Sequence, residues 1–188
     1  MILSQNLRKG TAFIYQNEPW VVLDYSHLKL ARSSAVIRLK IKNLLNGVIK
    51  EISLKSSDKF EEADLENKNY QFLYKQGDAL FFMHPESYEQ ISIPVNIIEP
   101  KEVFLKEGEA YQIQFFKGNP VSILLPKNMA FKVTYTEPGF KGDTSSSTLK
   151  PATLENNLEV KVPLFINIGD TVLISTESLE YKERVKKA

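Results

Sequence analysis

At 188 residues, 43% of them apolar and 25% charged, the chain has an ordinary globular composition and room for one large domain or two to three small ones. It contains no cysteine, which excludes disulfides and thiolate chemistry. The start Met1-Ile2-Leu3-Ser4-Gln5-Asn6 lacks a basic segment followed by an apolar one, and no apolar run nears the roughly 20 residues that span a bilayer, so a cytoplasmic protein with no membrane contact is expected. The net charge of +1 conceals a segregation: Tyr25 to Lys50 holds six Lys/Arg and no Asp/Glu, leaving 18 basic against 23 acidic residues elsewhere. That asymmetry suggests a face for a phosphate backbone, against the plainer reading of a solvated strand face.

In chain order, Trp20 to Tyr25 is the first β-rich run. Ile37 to Lys42 then alternates strictly, with Ile37, Leu39 and Ile41 on one face and Arg38, Lys40 and Lys42 on the other, the period of a half-buried antiparallel strand. The polar stretch Lys29 to Ser34 between them reads as a hairpin tip with Arg32 near its apex. Strands of about seven residues, at roughly 3.3 Å each, carry that apex some 20 Å from the hairpin base. Asn46-Gly47 supplies the next turn and Val48 to Leu54 the next strand.

Further short strands are predicted over Tyr70–Tyr74, Ala79–Met83, Glu89–Ile93, Tyr111–Phe116 and Val121–Leu125, with one short helix over Glu102–Glu107 ended by Gly108. A last series covers Ala130–Thr136, Glu159–Val162, Thr171–Ser175 and Tyr181–Val185, interrupted by a polar loop from Gly139 to Pro151. Short strands at turn-rich spacing predict an all-β chain of three small antiparallel barrels with seams near Asp64 and Pro126. Each would be marginal alone, because domains of about 60 residues bury only about 60% of their unfolded surface.

Catalytic chemistry is poorly supplied. His27 and His84 are the only histidines, which argues against imidazole and thiolate metal clusters, and neither sits in a nucleophile motif. His27 flanks the basic tip, where it could support the turn or touch phosphate; His84 lies beside Pro85 in a turn, where a surface role is expected. Neither GxxxxGK[ST] nor GxGxxG occurs, so no phosphate-cradling loop and no resident cofactor or metal is expected, and an enzyme is disfavoured. Arg32 has a guanidinium whose pKa exceeds about 12; it cannot act as a general base and can only position or polarise. From spacing alone it could equally be a solubilising arginine.

Long ordered motifs carry a resemblance. Leu39-Lys40-Ile41-Lys42-Asn43-Leu44-Leu45-Asn46-Gly47 resembles the first domain of bacterial translation elongation factor P. Tyr135 to Thr144 (YTEPGFKGDT), Lys150 to Glu155 (KPATLE) and Val160 to Asp170 (VKVPLFINIGD) resemble that family's third domain almost residue for residue. The resemblance implies a KOW/SH3-like domain over 1–64 and two OB-type domains over 65–126 and 127–188, in an L-shaped arrangement like transfer RNA. It implies a monomer that binds the ribosome, touching peptidyl-tRNA and ribosomal RNA, and relieves stalling at consecutive prolines by reaching the peptidyl transferase centre.

Many members carry Lys-Pro-Gly-Lys-Gly at the tip; here Leu30-Ala31 replaces Pro-Gly, Arg32 takes the place of the modified lysine, and Ser33-Ser34 follow in place of glycine. Without glycine the tip loses easy access to positive φ, so its turn geometry should differ. The arginine resembles the branch in which an arginine rhamnosyltransferase uses a nucleotide-activated rhamnose, so a rhamnosylated Arg32 is expected. Lys29 matches the first lysine of the tip motif and is expected near RNA. Tyr181 and Arg184 match residues that lie toward the small ribosomal subunit, their alternative being a strand edge with an aromatic packed on its own barrel. Two further alternatives stand: an elongation factor P-like paralogue, and a general OB-type RNA-binding protein. The latter should expose aromatics in its basic groove, whereas the basic window holds only Tyr25 at its edge.

Overall fold

The computed structural model describes residues 1–28, 36–98, 100–138 and 149–185. Among them the chain forms sixteen strands and three short 3-10 turns, so the all-β expectation holds. Two compact units divide it: Met1–Glu99 with Glu107–Leu124, and Pro100–Lys106 with Leu125–Ala188.

The first unit begins with β1 (Ile2–Leu3), β2 (Ala12–Tyr15), β3 (Glu18–Leu28), β4 (Val36–Asn43), β5 (Ile49–Lys55) and β6 (Lys59–Phe60). Strands β2-β3-β4-β5 make an antiparallel meander, and β1 pairs with β6. The alternation in β4 does what its period dictates: Ile37, Leu39 and Ile41 are each 0% exposed, packed with Leu7, Phe13, Trp20, Val22 and Leu54. Strand β3 needs a correction to reach this core. Its register slips between Val22↔Ile41 and Asp24↔Lys40, a bulge at Leu23. The bulge switches parity: without it Asp24 would share the inward face of Val22, and with it Asp24 turns outward beside Lys40 while Tyr25 turns inward beside Leu39.

The unit continues with β7 (Glu66–Gln76), β8 (Ala79–Met83), β9 (Gln90–Pro94), β10 (Ala110–Phe116) and β11 (Asn119–Leu124), hydrogen-bonded in the order β11-β10-β7-β8-β9. The second unit holds β12 (Asn128–Thr136), β13 (Leu149–Leu154), β14 (Glu159–Pro163), β15 (Thr171–Ser175) and β16 (Tyr181–Arg184), ordered β14-β13-β12-β15-β16. Counted from their own first strands, both sheets run third, second, first, fourth, fifth. In each, the first half of the first strand pairs with the fourth strand and the second half with the second strand, across a register shift at Phe72/Tyr74 in β7 and at Val133/Tyr135 in β12. A bulged strand bends, and this bent shared strand is how an OB-type Greek key curls its sheet. In the second unit the edge strands β14 and β16 approach one another.

Several sequence expectations change. The helix expected over Glu102–Glu107 is a single 3-10 turn at Lys101–Phe104, where Leu105 N–H donates to the Glu102 carbonyl at 3.0 Å and then leaves in extended conformation. So short a segment gains little helical stability of its own, and it is held instead by Phe104, fully buried against Phe131 at 5.7 Å between ring centres. The loop expected from Gly139 to Pro151 ends earlier, because Leu149, Lys150 and Pro151 open β13; residues 139–148 lie outside the described residues. Strands β1, β2, β6 and β13 had no sequence signal strong enough to be read.

Candidate nucleic-acid interface

The hairpin of β3 and β4 carries the charge segregation. Its backbone pairing runs without further slip from Asp24↔Lys40 through Ser26↔Arg38 to Leu28↔Val36. The predicted tip, Lys29, Leu30, Ala31, Arg32, Ser33 and Ser34, lies outside the described residues. From Lys42 to Val36 the strand covers about 20 Å at roughly 3.3 Å per residue.

The outer face of β4 is graded. Arg38 is exposed and stands in register between Ser26 of β3 and Ser53 of β5. Lys40 is exposed between two carboxylates, Asp24 on one side and Glu51 on the other. Cross-strand partners sit about 5 Å apart at Cβ, so these acids cancel much of the Lys40 field. Lys42 is half-buried and its Nζ donates to the Ile97 carbonyl at 3.1 Å. Lys50, counted in the same basic window, is drawn onto aromatic faces, 4.6 Å over Tyr15 and 4.2 Å over Trp20, while donating to Gln16 Oε1 at 3.0 Å. Among the described cations of the window, Arg38, the farthest from the root, is thus the one with neither a carboxylate in cross-strand register nor a carbonyl or aromatic partner for its side chain. The count of charges in the sequence could not show this, because Asp24 and Glu51 become neighbours of Lys40 only through strand register.

The root is over-determined. Asn43, 0% exposed, accepts from the N–H of Leu45 at 2.8 Å and of Asn46 at 3.2 Å through Oδ1, and donates through Nδ2 to Glu18 Oε2 at 2.6 Å. Asn46 Oδ1 accepts from Val48 N–H at 3.0 Å, and Gly47 takes φ +75°, a left-handed value that favours glycine. The Asn46-Gly47 turn signal is thus realised as a side-chain-capped turn.

In the second unit, Tyr181 and Arg184 lie together on β16. Arg184 Nη1 is 3.6 Å from Asp170 Oδ2, and its guanidinium stands 5.5 Å from the centre of the Phe165 ring, itself 57% exposed. Tyr181 is half-buried and pairs with Ile174; burial pushes its phenol above the ordinary value, with the nearby Arg184 charge opposing. Phe165 belongs to the VKVPLFINIGD motif but was not singled out as a site residue. Its signal was an aromatic in the turn after Pro163, but its place beside Arg184 depends on β16 folding back past the end of β14.

His84 organises a turn, its Nδ1 accepting from the N–H of Glu86 at 3.3 Å and of Ser87 at 3.2 Å while its ring packs edge-on to Tyr70 at 5.2 Å. Among the described residues no group of three or more His, Asp or Glu is placed to hold a metal ion, and no helix is long and apolar enough to cross a membrane.

Three family models match in succession: the elongation factor P (EF-P) KOW-like domain over residues 3–60, the elongation factor P (EF-P) OB domain over 65–123, and elongation factor P, C-terminal, over 129–184. The chain is 41% identical to elongation factor P of Desulfovibrio desulfuricans and 42% identical to that of Alkaliphilus oremlandii, in each case over 98% of this chain and 100% of the relative. It is 41% identical to elongation factor P of Thermodesulfovibrio yellowstonii over 100% of both. Among solved structures, eukaryotic translation initiation factor 5A from Methanococcus jannaschii superposes with a TM-score of 0.50 at 22% identity, over 65% of this chain and 92% of that one, a likeness of fold. With a basic hairpin on the KOW-like sheet, two later sheets that share the OB strand order and full-length matches at this identity, the chain belongs to the elongation factor P family of translation factors.

Proposed function

We propose that the protein binds the ribosome beside peptidyl-tRNA and speeds peptide-bond formation where consecutive prolines stall it, with a rhamnosylated Arg32 at the hairpin tip reaching the peptidyl transferase centre. The observation that supports this reading is the β3–β4 hairpin of the four-stranded sheet: its inner face is core, and on its outer face Arg38, away from the root, stands exposed with no carboxylate in cross-strand register. Arg38, and more weakly Lys40, would meet RNA phosphates, and each neutralised phosphate makes affinity fall with salt. Lys29 and the other tip residues would lie closest to the reacting ends.

The ribosome performs the chemistry. Proline's ring fixes φ and makes its nitrogen a constrained attacking group, so a factor that holds the peptidyl-tRNA in reactive geometry lowers the barrier by orientation, each 1.4 kcal/mol being about tenfold in rate. Blocks 1–64, 65–126 and 127–188 would act as three domains of a monomer, the last one turning Tyr181 and Arg184 toward the small subunit. An arginine rhamnosyltransferase would be the second partner.

The test is synthesis of a triple-proline peptide in a reconstituted system with native protein, with Arg32→Ala, and without factor. Native protein should relieve the stall and Arg32→Ala should not. Equal rescue by both would refute the role of the tip, and an intact mass without a deoxyhexose on protein from growing cells would refute the modification.

A further inference from the structure

The hairpin root reaches the central sheet of the same compact unit through Lys42. Lys42 leaves the outer face of β4 and donates from Nζ to the carbonyl of Ile97, in the 3-10 turn Val95–Ile97 that follows β9. Beside it, a methyl group added at Gly47 would stand 3.7 Å from the Asn96 carbonyl oxygen and 3.9 Å from Lys42 Cε, so the β4–β5 turn already rests on that 3-10 turn. Both partners are firm. On one side the turn is capped by Asn43 and Asn46; on the other, Val95 is 7% exposed, Ile98 6%, and Val95 N–H donates to the Asp78 carbonyl at 2.9 Å.

We infer that Lys42 is a positioning residue: a strut that sets the angle of the β3–β4 arm against the central sheet, rather than a phosphate contact like Arg38. The reason for needing one is leverage. Over an arm of about 20 Å, a tilt of about 3° at the root moves the far end by about 1 Å, a displacement that can cost on the order of 10²-fold in an orientation-dependent reaction. A backbone carbonyl is a suitable anchor because its position is fixed by the fold, whereas a carboxylate side chain would swing with its own rotamers. The functional consequence rests on the reading proposed above; the strut itself does not.

The chain has no cysteine, so Ser57→Cys and Ser92→Cys, both exposed and one on each side of the contact, accept spin labels without background. Pulsed dipolar distances in the free, full-length protein should give a narrow distribution. Lys42→Met, which keeps the stem and loses the donor, should broaden it, and Lys42→Arg, which still donates, should narrow it again. On ribosomes, Lys42→Met should leave the salt dependence of binding unchanged yet lower the triple-proline rate several-fold at saturating factor. Arg38→Met should instead reduce the slope of log affinity against log salt by about 1. Identical distance distributions for native protein and Lys42→Met would overturn the strut. A slope lowered by about 1 in Lys42→Met would overturn it in favour of a phosphate contact, and a broadened distribution with an unchanged rate would overturn its part in positioning. A native protein without effect on the triple-proline template would refute the proposed function while the distance measurement still decides the strut.

Discussion

Replacing Asn43 by alanine tests the root of the hairpin directly. The side chain makes three hydrogen bonds, two accepted from the N–H groups of Leu45 and Asn46 and one donated to the Glu18 carboxylate. A neutral bond contributes about 0.5–1.5 kcal/mol net and one to a charged group about 1.5–3 kcal/mol. Leu45 and Asn46 are exposed and regain water when the cap is lost, which offsets part of that sum. A net loss of about 2–4 kcal/mol is expected. The assay is urea unfolding followed by the fluorescence of Trp20, the single tryptophan, which is 3% exposed and faces Asn43 across the β3–β4 register. Asn43→Asp separates the two kinds of bond: it keeps the acceptor for both N–H groups but sets a second carboxylate against Glu18. It should therefore be destabilised at pH 7 and regain stability as the pH is lowered and the two carboxyls come to share a proton. A shift below about 0.5 kcal/mol for Asn43→Ala, within the range of an ordinary surface substitution, would refute the assignment of Asn43 as the anchor of this turn.

Two further expectations follow from burial. Leu39→Ala, at a position 0% exposed in the core of the first sheet, should cost about 2–5 kcal/mol in the same unfolding assay; a cost under about 1 kcal/mol would mean that this face is not a packed core. Tyr181 has a phenol pKa raised by burial, so the unfolded chain loses that proton first as pH rises. Stability of the second unit is fully held below about pH 10 and declines as pH climbs through the folded value. Tyr181→Phe should flatten that decline, and an unchanged pH profile in thermal melts would contradict it.

How much could be read before folding depended on the range of the interaction responsible. The β4 alternation is a local signal repeated three times, with apolar and cationic residues in strict turn, and it predicted both the buried and the exposed side chains. The Asn46-Gly47 turn was equally local, because the residue types that cap and bend it lie within five positions of one another. Strands β1 and β6, two residues each, carry no period and exist only because they pair with each other across more than fifty residues. Strand β13 was hidden by a polar, proline-containing start that reads as loop; Lys150 within it is nonetheless buried, its ammonium donating to the Glu137 carbonyl at 2.6 Å.

The candidate site divides along the same line. The basic outer face of β4 was legible as chemistry, and the family was legible as motif. Which cations are free to act was not. A lysine's charge is fixed by its own covalent structure, but its partner is fixed by register and packing, which are nonlocal. A single bulge at Leu23 turns Asp24 outward against Lys40, and a 3-10 turn 55 residues away takes the ammonium of Lys42. Sequence alone determined that this chain builds small β-sheets and concentrates positive charge on one arm, because periodicity and composition are written residue by residue. Only the tertiary structure decided how that charge is spent: neutralised or tied down at the root, and left open at Arg38.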